Sequence, residues 1–304
     1  MESVFINESV YAVVCETGRL YFYDVEAGEE TGVLEPEEDM APIQCSFTKN
    51  NKYVFVYGGD NYYMADLQKK EIISQGVSDK SLTGGVVTED GSKFYGSTYD
   101  KSLACIDTKT GDTDVLNLEG YNIRPSSLES TEFAVSSDGK LLAVMCMDNM
   151  VRILNTKSMK TSDEVELYGG DKCFISFSGN NSKLIMQGDT GYYQVYDLKK
   201  HKFIYMSKEP YNTIQNMTYN KETNTICLTM INGMLILNKK DYEPLAYVDG
   251  GIAYMPRKGY VFNEYAGTVY CFPYMDKDMM IKEAEKRFGE IKLTKQERIQ
   301  YNVD

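Results

Sequence analysis

One strand ending returns seven times at intervals of roughly forty residues, and it predicts an all-β chain: a seven-bladed β-propeller with a short C-terminal α-helical tail. The endings are "RLYFYD" to Asp24, "YYMAD" to Asp66, "SLACID" to Asp107, "VRILN" to Asn155, "YQVYD" to Asp197, "MLILN" to Asn238 and "VYCFP" to Pro273, spaced by 42, 41, 48, 42, 41 and 35 residues. Before each lies a turn, and before that turn another apolar run: "VYAVVC", "YVFVY", "KFYGS", "LLAVMCM", "KLIMQ", "TICLTM" and "GYVFNEY". Several of these runs are apolar at nearly every position, as a strand covered on both faces requires. Sheets stacked face to face supply that cover.

The elements follow in order. "SVFIN" fits the innermost strand of the first unit. The second unit is complete, with "IQCSFT", the turn "KNN", "KYVFVY", the turn "GGDN", "YYMAD", the turn "LQKK" and the outer strand "EIISQGV". The terminal Asp or Asn follows from turn chemistry, since a short polar side chain accepts hydrogen bonds from backbone N–H groups two residues on. By the same logic "GYYQVYDLKKHKF", an aromatic strand that stops on Asp197 and runs into basic residues, is a repeated part rather than a site. The 48-residue interval holds an insertion around "NLEGYNIRPSSLES". The last unit is short, and "GIAYM", "GYVFNEY" and "TVYCFP" predict three strands for it. In the tail, Met280, Ile281, Ala284 and Phe288 stand at helical spacing, and Thr294 with Glu297 forms a capping box. The expected division is therefore a propeller over 1–275 and a helical tail over 276–304 that packs on the last blade.

These repeats resemble WD40 blades, with "YD", "AD", "ID", "LN", "YD" and "LN" standing where that family has its Trp-Asp dipeptide. The resemblance covers residues 3–275 by pattern. There is no Trp, no Gly-His signature and a single His, so the family's Asp-His-Ser-Trp network cannot form. The tail resembles the A-x-x-R…L-T-x-x-E-x-x-x-Y ending of bacterial proteins with C-terminal WD40-like propellers, through Ala284, Arg287, Leu293, Thr294, Glu297 and Tyr301. That resemblance implies a cytosolic bacterial signalling protein in which an effector domain precedes the propeller.

Composition sets the outer limits. With 304 residues, 42% of them hydrophobic, the chain has the means to bury one sizeable all-β core. The first sixteen residues lack a signal peptide's basic start and long apolar stretch, and no apolar run reaches membrane-spanning length. A soluble, cytoplasmic protein without membrane contact is expected. Cys15, Cys45, Cys105, Cys146, Cys173, Cys227 and Cys271 are odd in number and form no C-x-x-C pair, which reads as reduced thiols.

Motifs for catalysis are sparse. His201 falls in the exposed turn "KKHK", and without a second His the Ser/His/Asp and Cys/His nucleophile systems are excluded. No Asp-x-Asp-x-Asp-Gly calcium loop and no G-x-x-x-x-G-K-[ST] phosphate loop occurs. No catalytic residue, metal or cofactor is assigned. The enzyme alternative is a lactonase-like hydrolase or lyase with a carboxylate-lined funnel, for which Asp60, Asp100, Asp148 and Asp189 would have to converge on a metal.

Charge is sorted by turn. Antiparallel neighbours turn at alternating ends, so the first-to-second and third-to-fourth turns share one end of each blade. That end receives Lys49, Lys52, Lys69, Lys70, Lys109, Lys199, Lys200, Lys202 and others, 18 of the 25 basic residues before the tail. The opposite end collects carboxylates and tyrosines. The expectation is a non-catalytic module that binds a basic peptide or protein there, through Asp60, Tyr62, Tyr99, Asp100, Asp148, Asp189, Tyr211, Glu264 and Tyr265, with Tyr121 and Tyr168 on the same end. Nucleic acid is disfavoured by the net charge of −13 and by a lysine end without interleaved aromatics.

Overall fold

The computed structural model describes residues 2–7, 9–38, 40, 43–116, 122–124, 132–170, 174–220, 224–255, 260–265, 268–273, 281, 282 and 286. Contacts divide the chain into two compact units, Met1–Gln215 and Asn216–Asp304. The first unit holds five blades, each a four-stranded antiparallel sheet whose spatial order follows the chain. They run from Glu2–Phe5 to Glu29–Leu34, Ile43–Phe47 to Glu71–Val77, Leu82–Val87 to Thr113–Leu116, Phe133–Val135 to Thr161–Glu166, and Phe174–Phe177 to Lys202–Met206. The innermost strands of the second, third, fourth and fifth blades lie side by side in that order. A sixth blade, Ile214–Asn220 to Pro244–Asp249, begins at the end of the first unit and lies otherwise in the second, which also holds a three-stranded sheet of Gly251–Met255, Tyr260–Tyr265 and Thr268–Pro273.

The expectation of seven blades ending in a helical tail is therefore corrected. Among the described residues there are six four-stranded blades and a three-stranded sheet, and no helix is among the described elements. The physical reason lies in the last strand ending. The last described strand ends at Pro273, which stands where the other six endings have Asp or Asn and has no side-chain acceptor to organise a turn. The tail, 276–304, lies outside the described residues apart from 281, 282 and 286. Glu2–Phe5 pairs with Val10–Val14, Phe5 opposite Tyr11, so the N-terminal residues form the innermost strand of the first blade, as "SVFIN" predicts.

The Asp and Asn endings act as turn chemistry requires. Asp66 Oδ1 accepts from Gln68 N at 2.9 Å and Lys69 N at 3.0 Å, and Asp197 Oδ1 accepts from Lys199 N at 3.0 Å and Lys200 N at 3.1 Å. Asp24, Asp107, Asn155 and Asn238 each hold a backbone N–H of their own turn in the same way. Four residues after each ending the backbone enters the left-handed region, at Gly28, Lys70, Gly111, Met159, His201 and Tyr242. Only two of those six are glycine, so the side-chain anchor, not residue type, sets this turn.

A second repeated turn joins the first two strands of four successive blades. Thr48, Thr88, Ser136 and Ser178 donate their hydroxyls to Asn50, Asp90, Asp138 and Asn180, at 2.7, 2.7, 2.7 and 2.9 Å. The next residue, Asn51, Gly91, Gly139 or Asn181, has positive φ. The motif Ser/Thr-x-Asp/Asn-Gly/Asn is plain in the sequence at a forty-residue period once the structure points to it.

Burial explains the uninterrupted apolar strands. In the second blade, Val54, Val56, Tyr63 and Ala65 pack with Ala12, Leu20 and Phe22 of the first. The alternate residues Phe55, Tyr57, Tyr62 and Met64 pack with Phe94, Ala104 and Ile106 of the third, Phe55 stacking on Phe94 at 4.2 Å between centroids. Each large side chain so buried contributes about 1.5–3 kcal/mol. Cys15, Cys45, Cys105, Cys146 and Cys227 are free thiols.

Candidate functional site

The acidic end of the first unit is built from the second-to-third-strand turns and the links between blades. Its aspartates are more occupied than their sequence positions suggest. Asp60 accepts a hydrogen bond from the Ser81 hydroxyl, and its carbonyl accepts from Ser78 N at 2.7 Å. Asp100 accepts from Lys80 Nζ at 2.7 Å and Thr98 Oγ1 at 2.5 Å, and these partners hold its carboxyl far below the usual carboxylate range. The link that carries Ser78, Lys80 and Ser81 is thereby tied to the blades on both sides of it.

Asp148 is held by Arg152, whose Nη1 and Nη2 donate to its two oxygens at 2.9 and 2.6 Å. Arg152 Nε also donates to Glu164 Oε1 at 3.3 Å, and the guanidinium is almost wholly enclosed. A planar fork fits that bidentate task as an ammonium would not. In the fifth blade the buried Gln187 amide donates to Gly191 O at 2.8 Å and Asn212 O at 3.1 Å, and accepts from Ile214 N at 2.8 Å. Sequence reasoning passed over Arg152 and Gln187, although each is a polar residue inside an apolar strand, which is the signal that marks them.

The tyrosines separate into two groups. Tyr99 is 71% exposed and Tyr168 54% exposed, with Met147 at 45% on the turn between them in chain order. Tyr62, in contrast, is 3% exposed; its ring packs against Phe55 and its hydroxyl donates to Gly111 O at 3.4 Å. Strand alternation turns Tyr62 into the packing between the second and third blades, away from the exposed surface on which the sequence placed it. Tyr211 is half-buried, donates to Glu209 at 2.9 Å and packs on Tyr193. Asp189 is exposed. Glu264 and Tyr265 end a strand of the second unit, but their side chains lie outside the described residues, as does Tyr121.

Tyr168 is held from behind. Its carbonyl accepts from the buried Gln194 Nε2 at 3.0 Å, and its ring meets Tyr192 edge-on at 6.1 Å. Gly169 and Gly170 follow, with φ of 96° and 86°. A Cβ on Gly169 would overlap Thr190, so only glycine lets this link lie against the neighbouring turn. The aromatic ring is thus exposed on a rigid support, which is what a binding anchor needs.

At the lysine end, His201 occupies an exposed turn as expected, yet it is not merely solvated. Its Nδ1 lies 2.9 Å from Asp163 Oδ2 in the fourth blade, and the Tyr196 hydroxyl donates to the same oxygen at 3.1 Å. Burial, then Asp163, pushes the Tyr196 hydroxyl up to about 12. Among the described residues no group of three or more His, Cys, Asp or Glu is placed to hold a metal ion, so Asp60, Asp100, Asp148 and Asp189 do not converge.

No protein-family model matches the chain, and no curated protein matches it. Solved structures do: 1803 chains match, so the fold is widespread and selects no single function. One is the β-propeller domain of Cps50 (Swd1) from Myceliophteria thermophila, at TM-score 0.66 and 10% identity, the match covering 88% of this chain and 93% of that domain. At that identity the likeness shows the fold, and the fold of this chain is a WD40-like β-propeller.

Proposed function

We propose that this propeller is a non-catalytic protein-interaction module that uses the acidic end of its first unit to hold a basic segment of a partner protein. The observation that carries the reading is the exposure of Tyr99, Met147 and Tyr168 on supports fixed by hydrogen bonds. Exposed aromatic and methionine anchors on a rigid base are the usual composition of interaction hot spots. The sign of the partner follows from what surrounds them. Lys80 and Arg152 are engaged with Asp100 and Asp148, while Glu37, Glu38, Asp79 and Asp189 remain exposed at the same end. The wider setting, a cytosolic bacterial signalling protein with a preceding effector domain, rests on the tail resemblance and is tested by reading the full gene.

Binding to an array of extended peptides, graded from basic to acidic, tests the module itself. Basic peptides should bind, with an on-rate that falls as salt rises. Tyr99→Ala combined with Tyr168→Ala should weaken binding by about tenfold or more through faster release. Changing Lys199, Lys200 and Lys202 to Ala should leave it intact. Binding lost with the lysines and kept without the tyrosines would move the working surface to the opposite end.

A further inference from the structure

Asp189 differs from Asp60, Asp100 and Asp148. Those three are each engaged by a hydroxyl or a cationic side chain, whereas Asp189 is exposed and no hydrogen bond or ion pair engages its carboxylate among the described residues. Its turn, between the second and third strands of the fifth blade, is pressed against the link that carries Tyr168. A Cβ on Gly188 would come within 2.7 Å of the Tyr168 and Gly169 carbonyl oxygens, and one on Gly170 would come within 3.0 Å of Asp189 Oδ1. The backbone of the turn thus lies against the backbone of the link, and the Asp189 carboxylate lies against Gly170. Tyr192, at the end of the same turn, meets the Tyr168 ring edge-on, with centroids 6.1 Å apart and planes at 74°. Tyr168 is exposed and Tyr192 half-buried, and neither hydroxyl has a hydrogen-bond partner among the described residues. Two tyrosine rings set as a corner and an unengaged carboxylate are therefore gathered where one link meets one turn.

We propose that Tyr168, Tyr192 and Asp189 form a subsite for an arginine side chain of the partner, a proposal that rests on the reading of this end as the surface for a basic segment. The face of an aromatic ring is the negative side of its quadrupole and attracts a cation. Rings that meet edge to face do not cover one another as stacked rings do, so the corner keeps aromatic face for a ligand. Asp189 adds a full negative charge beside it. The openness of the corner selects arginine over lysine. An ammonium is strongly hydrated and gains little by leaving water for an exposed site. A guanidinium is weakly hydrated, lies flat on an aromatic face, and offers paired N–H donors to the two carboxylate oxygens. Little ordering is needed on binding, since Gln194 Nε2 already holds the Tyr168 carbonyl at 3.0 Å.

The test uses the full chain with isotope-labelled tyrosine rings, titrated with acetyl-arginine amide and with its lysine and citrulline counterparts. Tyr168→Phe and Tyr192→Phe assign the two ring signals by nuclear magnetic resonance, and Tyr99, exposed beside an aspartate already engaged by Lys80, is the internal reference. The arginine probe should move the Tyr168 and Tyr192 signals and leave Tyr99 in place. The lysine probe should need about threefold more to reach the same shift, and neutral citrulline should move neither ring. Asp189→Asn, at an exposed position, should raise the arginine concentration required by about threefold. Tyr192→Leu should weaken the response at Tyr168 by a similar factor. The proposal is overturned if Tyr99 responds as strongly as the corner, if lysine matches arginine, or if Asp189→Asn changes nothing. The capped residue needs no partner segment. Ring signals that respond while basic peptides fail to bind would sink the module reading and keep the subsite, and peptides that bind while the ring signals stay still would do the reverse.

Discussion

The two ends of the blades use the same residue in opposite ways. At the lysine end, Asp66, Asp107 and Asp197 serve their own turns and bind backbone N–H groups two and three residues on. At the acidic end, Asp60 and Asp100 reach a link about twenty residues away in sequence, and Asp148 binds a buried guanidinium. A local acceptor specifies the path of one turn. A distant one specifies how neighbouring blades and links meet, so at that end fewer carboxylates are left to face a partner than the sequence suggests. The side chains left exposed around the fasteners are Tyr99, Met147 and Tyr168, on which the proposed interaction surface rests.

The sharpest break in this contrast is Arg152→Ala. It leaves Asp148 and Glu164 without their shared donor and empties enclosed space, and should cost about 2–4 kcal/mol in denaturant unfolding. Arg152→Lys should recover only part of this, because an ammonium cannot make the paired contact. Full recovery would reduce the site to simple charge balance.

Asp197→Ala should cost less, about 1–2 kcal/mol, through loss of the turn's two N–H acceptors. Asp197→Asn should fall within about 0.5 kcal/mol of wild type, since the anchor is an oxygen and not a charge. Asn155 and Asn238 already do this work in the fourth and sixth blades. An Asn variant as damaged as the Ala variant would show that charge matters at this end too.

Alkaline titration separates buried from exposed tyrosines. Tyr95 and Tyr196 are both pushed up to about 12, chiefly by burial. A pKa raised in the folded state means that folding favours the protonated form, so the contribution is fully present below the ordinary tyrosine value near 10. It should be lost as pH rises from there towards about 12. Tyrosinate absorbance should show Tyr95 and Tyr196 ionising only as the pH approaches about 12 and the fold is lost. One cooperative transition at the lower value would contradict the burial of these rings.

The smallest effect is expected at Asp100. Its carboxyl is held low by Lys80 and Thr98, so its contribution is present above the unfolded carboxylate value near 4 and lost only as pH falls through the depressed folded value. The group is half-exposed, and Asp100→Asn should change stability at neutral pH by less than about 1 kcal/mol. A loss as large as that of Arg152→Ala would make the Lys80 contact as strong a fastener as the Arg152 pair.

Much of this architecture was legible because its causes are local. The endings at Asp24 through Asn238 mark real strand ends, and their chemistry acts within three residues. Runs apolar at every position, such as "YVFVY", announced cover on both faces. The Ser/Thr-x-Asp/Asn-Gly/Asn turns were equally local and equally readable, but were passed over in favour of the strand endings. Pro273 was readable as well, as the one ending of the seven without an Asp or Asn side chain, and the described strands there form a three-stranded sheet.

What the sequence determined by itself is thus the repeat, the turns and the covered strands, since each depends on neighbours a few residues away. Only the tertiary structure decided which side chains remain free. Tyr62 and Tyr99 stand at matching ends of successive blades, yet one is enclosed by Phe55 and Gly111 and the other projects into solvent. Asp100, Asp148 and Lys49 draw their character from Lys80, Arg152 and Ser176, partners chosen by how the blades stack. Exposure and charge at a site are set by distant groups, and no local pattern names those groups.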